Sequence, residues 1–463
     1  MGQGQLTILG PSQVTVGGQL LLGVGGTGDV SVAGGSITLG NQATIGGNGS
    51  GSWQQSAGSA TFSGSVGLGT AAAGTGSLSL SGGTLSALSL NLLTTGTLSL
   101  TGGTMNLGSL ALLGGTLTNN GGQLTVGDLF LGGGTITGNI RTTGATSVDS
   151  SVSGFNGALD NGGTFTLDQS FSPSLGFSNS GSTIIIDGGV LATPGLQIDS
   201  GDLTVESGGV IDVDALHNAG GDFTMKPDSW LFTDLLNLGG GSTDIQGGHL
   251  VIADVLNVEN SSVSIASGTV FDAKSITVGS GGWLDLGPGV WIPPADSRLA
   301  IAAGGGVSFN ASGPTAALNL PDEVVVSGDG VQTTSLQGDG AWHLTANSTM
   351  LLSRAALTGG GTLTVDAGAH LDIIGNGTTL NRNISNHGQT RLNAVVTPGF
   401  MLGGSATLTN ESDGTLRILD EPLLETDSNY NRLRATGLDV VNAGTMTIGA
   451  LTPQSGSAAL PWF

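Results

Sequence analysis

Apolar residues in this chain arrive in short bursts, and inside each burst they alternate with polar ones. Leu78-Ser79-Leu80, Leu98-Ser99-Leu100 and Leu124-Thr125-Val126 show the pattern. A period of two marks a strand with one buried face. Bursts of three to five residues are too short for helices, and their β-branched content favours strands. Gly-rich corners separate them, as in Gly82-Gly83-Thr84-Leu85, where the backbone must turn tightly.

The bursts recur at a regular step. From Asn161 to Ala300 that step is twenty residues. One column reads Thr183, Leu203, Phe223, Thr243, Val263, Trp283. A second reads Val190, Val210, Trp230, Leu250, Val270, Val290, with Leu191, Ile211, Leu231, Val251, Phe271 and Trp291 beside it. A third reads Leu196, Leu216, Leu236, Leu256, Ile276. A fixed period of this length marks a stacked repeat architecture. The first third keeps the plan with a drifting step: Leu6, Val14 and Leu22 are followed by Val30, Ile37 and Ile45, then by Trp53, Ala60 and Leu68. Three short strands per rung of about 19–24 residues, all rungs running the same way, predict an all-β parallel β-helix (β-solenoid). Each strand then pairs with its equivalents ~4.8 Å away, one rung above and one below.

Five regions are expected along the chain. Residues 1–139 are nearly uncharged Gly/Ser/Thr-rich rungs, and 140–160 are a degenerate rung or insertion. Residues 161–300 are the regular ladder, 301–410 looser rungs, and 411–463 an acidic insertion and C-terminal cap.

Composition narrows the chemistry. The formal charge is −23, from 33 acidic and 10 basic side chains, and only Lys226 and Lys274 are lysines. Without a basic patch, nucleic acid is not an expected partner. No apolar run approaches the ~20 residues of a membrane helix, so no membrane insertion is expected. There is no Cys, which excludes disulfides, thiol chemistry and Cys-ligated zinc. Residues 1–11 lack the basic and apolar regions of a signal peptide.

Asp214, Asp234 and Asp254 occupy one position of successive rungs, with Lys274 after them. Carboxylates one rung apart repel unless solvent screens them or a cation lies between them. They are therefore the candidate Ca²⁺ ladder, set against the ordinary preference of Asp for strand-ending corners. No other cofactor is expected. A second candidate binding or cap segment holds Glu421, Glu425, Asp427 and the single Tyr, Tyr430. Outward hydroxyls flank the apolar residue at Ser77/Ser79, Thr97/Ser99, Thr116/Thr118 and Thr135/Thr137, a flat face suited to ordering water or a glycan. Trp230 and Trp283 fall in apolar columns and are expected to fill the core, with Trp291 partly exposed. The five histidines lack metal-ligand spacing. No nucleophile elbow, P-loop or dinucleotide fingerprint is present, so no catalytic residue is assigned.

Stretches such as Gly82-Gly83-Thr84-Leu85, Thr118-Asn119-Asn120-Gly121-Gly122-Gln123-Leu124-Thr125-Val126 and Ser207-Gly208-Gly209-Val210-Ile211 resemble the β-helical passenger repeats of bacterial autotransporters and filamentous-haemagglutinin-type adhesins. The resemblance covers most of the chain. It implies a right-handed β-helix displayed on, or released from, a Gram-negative-type cell. The Asn-Pro-Asn motif of two-partner secretion and a run of C-terminal barrel strands are both missing, which leaves the export route open. The expected function is a non-catalytic extracellular rod: adhesin stalk, surface layer or filament subunit. Its expected partners are further copies of itself, end to end or side by side, or a host or matrix glycan or protein. The alternatives are a polysaccharide-acting β-helix enzyme or tailspike, and a flat-face ice- or glycan-binding protein.

Overall fold

The computed structural model describes residues 2–450, other than 70–73, 150–151, 153, 182, 289, 292, 310–316, 330–331, 333, 375–376, 395–400, 421–433 and 437. Among the described residues every regular element is a strand, and every pairing between named strands with an assigned register is parallel. The chain is an all-β solenoid, as the alternation and the repeat predict. It divides into two compact units, Met1–Asp234 and Leu235–Phe463.

In the first unit three inward columns run through successive rungs. On one face Leu6, Val30, Trp53, Leu78, Leu98, Leu117 and Ile136 pair in register. On the next, Val14, Ile37, Ala60, Leu85, Met105 and Leu124 do so. On the third, Leu22, Ile45, Leu68, Leu92, Leu112 and Leu131 follow one another. Nearly all are fully buried. Burying each large one contributes roughly 1.5–3 kcal/mol, and each rung is covered by the next, so no cross-link is needed.

The described strands of residues 140–160 pair in parallel with their neighbours. Strand Ile140–Thr142 pairs with Gln123–Leu131 before it and Ala158–Asn161 after it. The interior here is polar. Thr142 donates to Asn161 Oδ1 (2.9 Å), and Asn161 Nδ2 donates to Asn179 Oδ1 (2.7 Å), all three fully buried. The apolar pattern fades because hydrogen bonds replace aliphatic stacking. An aromatic cluster follows, with Phe165 touching Phe171 and Phe177 at centroid distances of 5.8 and 4.8 Å.

The second unit adds a separate six-stranded sheet containing Leu318, Trp342, Leu363, Ile384, Leu408 and Val440 in register. Its steps are less even: Arg298 pairs with Glu323, and Glu323 with Thr349. Rings stack along its interior. Phe271 meets Trp291 at 6.3 Å, Trp291 lies parallel to Phe309 at 6.3 Å, and Phe309 meets Trp342 edge-on at 5.6 Å. The guanidinium of Arg382 lies 3.6 Å from the centre of the Trp342 ring and is buried. It donates to the carbonyls of Gly338 (2.7 Å) and Gly340. Those glycines lie 44 and 42 residues back along the chain. Burial lowers the Arg382 pKa to about 10, so it is a cation at neutral pH. Asn386, Asn410 and Asn442 form a ladder, each Nδ2 donating to the next Oδ1 at 2.7 and 2.6 Å.

Three column assignments change. Leu250 pairs with Phe271 and points inward, while His249 takes the position beside Val270. The cause is an irregularity between Ile252 and Val255, which gives that strand one residue more than its neighbour. Ile184, not Thr183, aligns with Leu203 and Phe223. Leu284, not Trp283, aligns with Val263. Corners that vary by one residue shift the inward position, and a strict count of twenty misses this.

Candidate functional site

The sequence-predicted carboxylates that are described sit at outward positions. Asp214 and Asp234, both in the first unit, are exposed on strands Val210–Asn218 and Trp230–Leu238. Asp254 is exposed in the second unit, within the irregular step that sets Lys274 opposite both Ala253 and Asp254. Among the described residues no group of three or more His, Asp or Glu side chains is arranged to hold a metal ion. Glu421, Glu425, Asp427 and Tyr430 lie outside the described residues.

The tryptophans sort differently from the sequence expectation. Trp230 is half-buried on the outer face and stacks on Phe232, centroids 5.6 Å apart and planes 20° apart. Strand alternation turns 230, 232 and 234 outward and leaves Leu231 and Thr233 inside. Trp283 also faces outward, and its ring covers Gly306 of the next rung, where a Cβ would come within 2.2 Å of it. Trp291 is 3% exposed because it aligns with inward Phe271. Neither Trp230 nor Trp283 fills the core as expected, and Trp291 is not partly exposed.

The hydroxyl columns are in register. Ser77, Thr97, Thr116 and Thr135 form one, and Ser79, Ser99, Thr118 and Thr137 the other. They extend further toward the N-terminus. Gln5, Asp29 and Ser52 continue the first column, and Thr7, Ser31 and Gln54 the second. The same alternation could have located them.

This end of the face is not flat. A hollow of about 430 Å³ opens there, lined by Gln3, Gln5, Thr27, Asp29, Ser50, Ser52, Thr75 and Ser77. Between the lining residues runs a column of glycines, Gly4, Gly28, Gly51 and Gly76, the last three of them buried. A Cβ on Gly51 would come within 2.5 Å of the Gly46 nitrogen, and one on Gly76 within 2.1 Å of the Ile45 carbonyl oxygen. The strand therefore lies directly against the backbone of the preceding corner, as only glycine permits. The wall sinks, and its outward side chains border a depression. Ser52 donates to Asp29 Oδ1 across one rung step, and the Ser50 and Thr75 hydroxyls lie 3.0 Å apart across another.

Two of the histidines pair with carboxylates. His343 Nδ1 is 3.4 Å from Asp366, and His387 Nδ1 is 2.9 Å from Asp413. Asp413 is held below the ordinary carboxylate range, first by that hydrogen bond from His387. Burial raises the Asp372 pKa, with Arg391 and His370 opposing.

These features define a parallel β-solenoid with polar outer faces. No protein-family model matches the sequence, and no curated protein matches it. One similar solved structure is a TibC-catalysed hyper-glycosylated fragment of TibA. It is 14% identical, covers 96% of this chain and 97% of its own, and has a TM-score of 0.25. A likeness that loose carries no argument about function.

Proposed function

We propose that the chain is a non-catalytic structural protein exported to the outside or surface of a Gram-negative-type cell. Its solenoid acts as a stiff spacer: an adhesin stalk, a surface-layer element or a filament subunit. One observation carries the reading. Within each unit the described rungs follow one another through parallel pairing, and in the regular stretch the strands are joined by corners of only a few residues. Such corners supply stiffness and leave little chain to wall a cleft, whereas polysaccharide-cleaving sites need carboxylate pairs set around one. The low charge density of the first third suits a surface exposed to varying ionic strength.

Two measurements test this. Electron microscopy of the purified protein should show elongated particles, single or associated; compact globules at every concentration would sink the spacer reading. Neutral and acidic polysaccharides should survive incubation with the protein. Cleavage by wild type that is lost in Asp234→Ala would make it an enzyme.

A further inference from the structure

We infer that the hollow over the glycine column is a binding site for an extended, uncharged glycan lying along the solenoid axis. The inference adds a ligand to the proposed spacer but does not need it, since the hollow stands on its own geometry. Four features carry it. The hollow is concave, as ligand sites are and open strand faces usually are not. Its lining is an ordered array: Gln3, Thr27, Ser50 and Thr75 in one column and Gln5, Asp29, Ser52 and Ser77 in the other, paired rung by rung. Amides, hydroxyls and one carboxylate can each donate to or accept from sugar hydroxyls. Successive rungs lie ~4.8 Å apart, so four of them span on the order of 14 Å. That is close to the advance of three pyranose rings in an extended chain, so each ring would meet a fresh pair of side chains.

The chemistry selects against charge. Asp29 is the only ionisable side chain in the lining. Before Asp149 the chain carries only Asp29, Asp128 and Arg141 as charged side chains. An acidic sugar would approach Asp29 with no cation in the lining to offset it, in a protein of net charge −23. A peptide would be a poor occupant, because the lining has no apolar side chain for an anchor residue.

The test is calorimetric titration of the full chain with cellohexaose, xylohexaose and chitohexaose, with hexagalacturonate as the charged counterpart. At least one neutral hexamer should bind, and hexagalacturonate should bind at least about tenfold more weakly, a difference of about 1.4 kcal/mol. Ser52→Trp fills the hollow from an outward position and should abolish binding. Thr137→Trp, three rungs beyond Ser77 and Ser79 on the same face, should leave it unchanged. Gln5→Ala should weaken it without filling the space, which covers the case of a misfolded Ser52→Trp. Three flat neutral titrations overturn the inference, as does binding that survives Ser52→Trp, or hexagalacturonate binding as tightly as the neutral hexamers. None of these outcomes bears on particle shape or cleavage, so the spacer reading stands or falls separately.

Discussion

Residues 76–131 and the described residues of 338–442 both pair through parallel strands but fill the interior differently. In the first stretch, columns such as Leu78-Leu98-Leu117 and Leu92-Leu112-Leu131 repeat one side-chain type from rung to rung. In the second, a buried cation, an asparagine ladder and a tryptophan share the interior. Parallel pairing constrains the backbone and the inward direction, not the contact chemistry. Aliphatic stacking tolerates small shifts, because dispersion contacts are many and non-directional. The polar interior does not, because each buried donor or acceptor needs its particular partner.

The largest effect expected from this contrast comes from Trp342→Ala. It removes the end of the ring stack and the surface on which Arg382 lies. A loss of ~3–5 kcal/mol is expected. Hydrogen exchange read by mass spectrometry should show it as lost protection around 338–382, with 76–131 unchanged. Equal loss in both stretches would mean that the two interiors do not behave as separate cooperative regions. The matched change, Leu98→Ala, should cost ~2–5 kcal/mol and reverse the pattern of protection.

Arg382→Met comes next. Methionine fills much of the volume but leaves the carbonyls of Gly338 and Gly340 without their donor. A cost of ~1–3 kcal/mol follows for an unsatisfied buried group. Arg382→Lys should recover little, since an ammonium lacks the planar fork that reaches two carbonyls at once while stacking on indole. If Arg382→Met proves neutral in denaturant melts, the guanidinium is filling space and its hydrogen bonds contribute nothing net.

How much of this was legible in sequence follows from the same contrast. Where Leu stacks on Leu, the alternation shows both the strand and its buried face, and the column from Leu6 to Ile136 can be traced from spacing alone. Where the interior is polar, the signal fails. Thr142 and Asn161 look like loop residues because their reason to be inside is a mutual hydrogen bond. Arg382 looks like a surface charge because its partners lie 42 and 44 residues away. The hydroxyl columns were visible, but not the hollow at their end. Its cause is the approach of Gly51 to the backbone at Gly46, which a Gly-rich sequence does not distinguish from any other turn.

Asn410→Ala sharpens the comparison at an intermediate scale. Asn410 accepts from Asn386 and donates to Asn442 and to the carbonyl of Thr445, so alanine strands groups on two rungs. About 1–3 kcal/mol is expected, localised to the second unit. A Leu in its place should do no better, because the missing partners are polar.

The smallest effect separates the two stretches by pH. Residues 76–131 carry a single ionisable side chain, Asp128, so acid should scarcely alter their protection. Among its described residues the second unit carries two carboxylates shifted in opposite senses. Asp413 is lowered by its hydrogen bond from His387, so its contribution is present above the unfolded value near ~3.9 and is lost as pH falls through its lower folded value. Asp372 is raised by burial, so the folded state holds its proton more tightly. Its charged form disfavours folding, and stability falls as pH rises from about 3.9 through the raised value. On acidification the two changes oppose one another, and the wild-type acid limb should be shallow. Asp413→Asn should leave only the Asp372 term, so the second unit gains protection as pH falls through that window. Asp372→Asn should leave only the Asp413 term, giving a loss with acid, and should cost little at neutral pH, where the charged carboxylate is already disfavoured. Hydrogen exchange at a series of pH values reads both. Identical acid limbs for the two variants would show that His387 and the burial of Asp372 do not couple to folding.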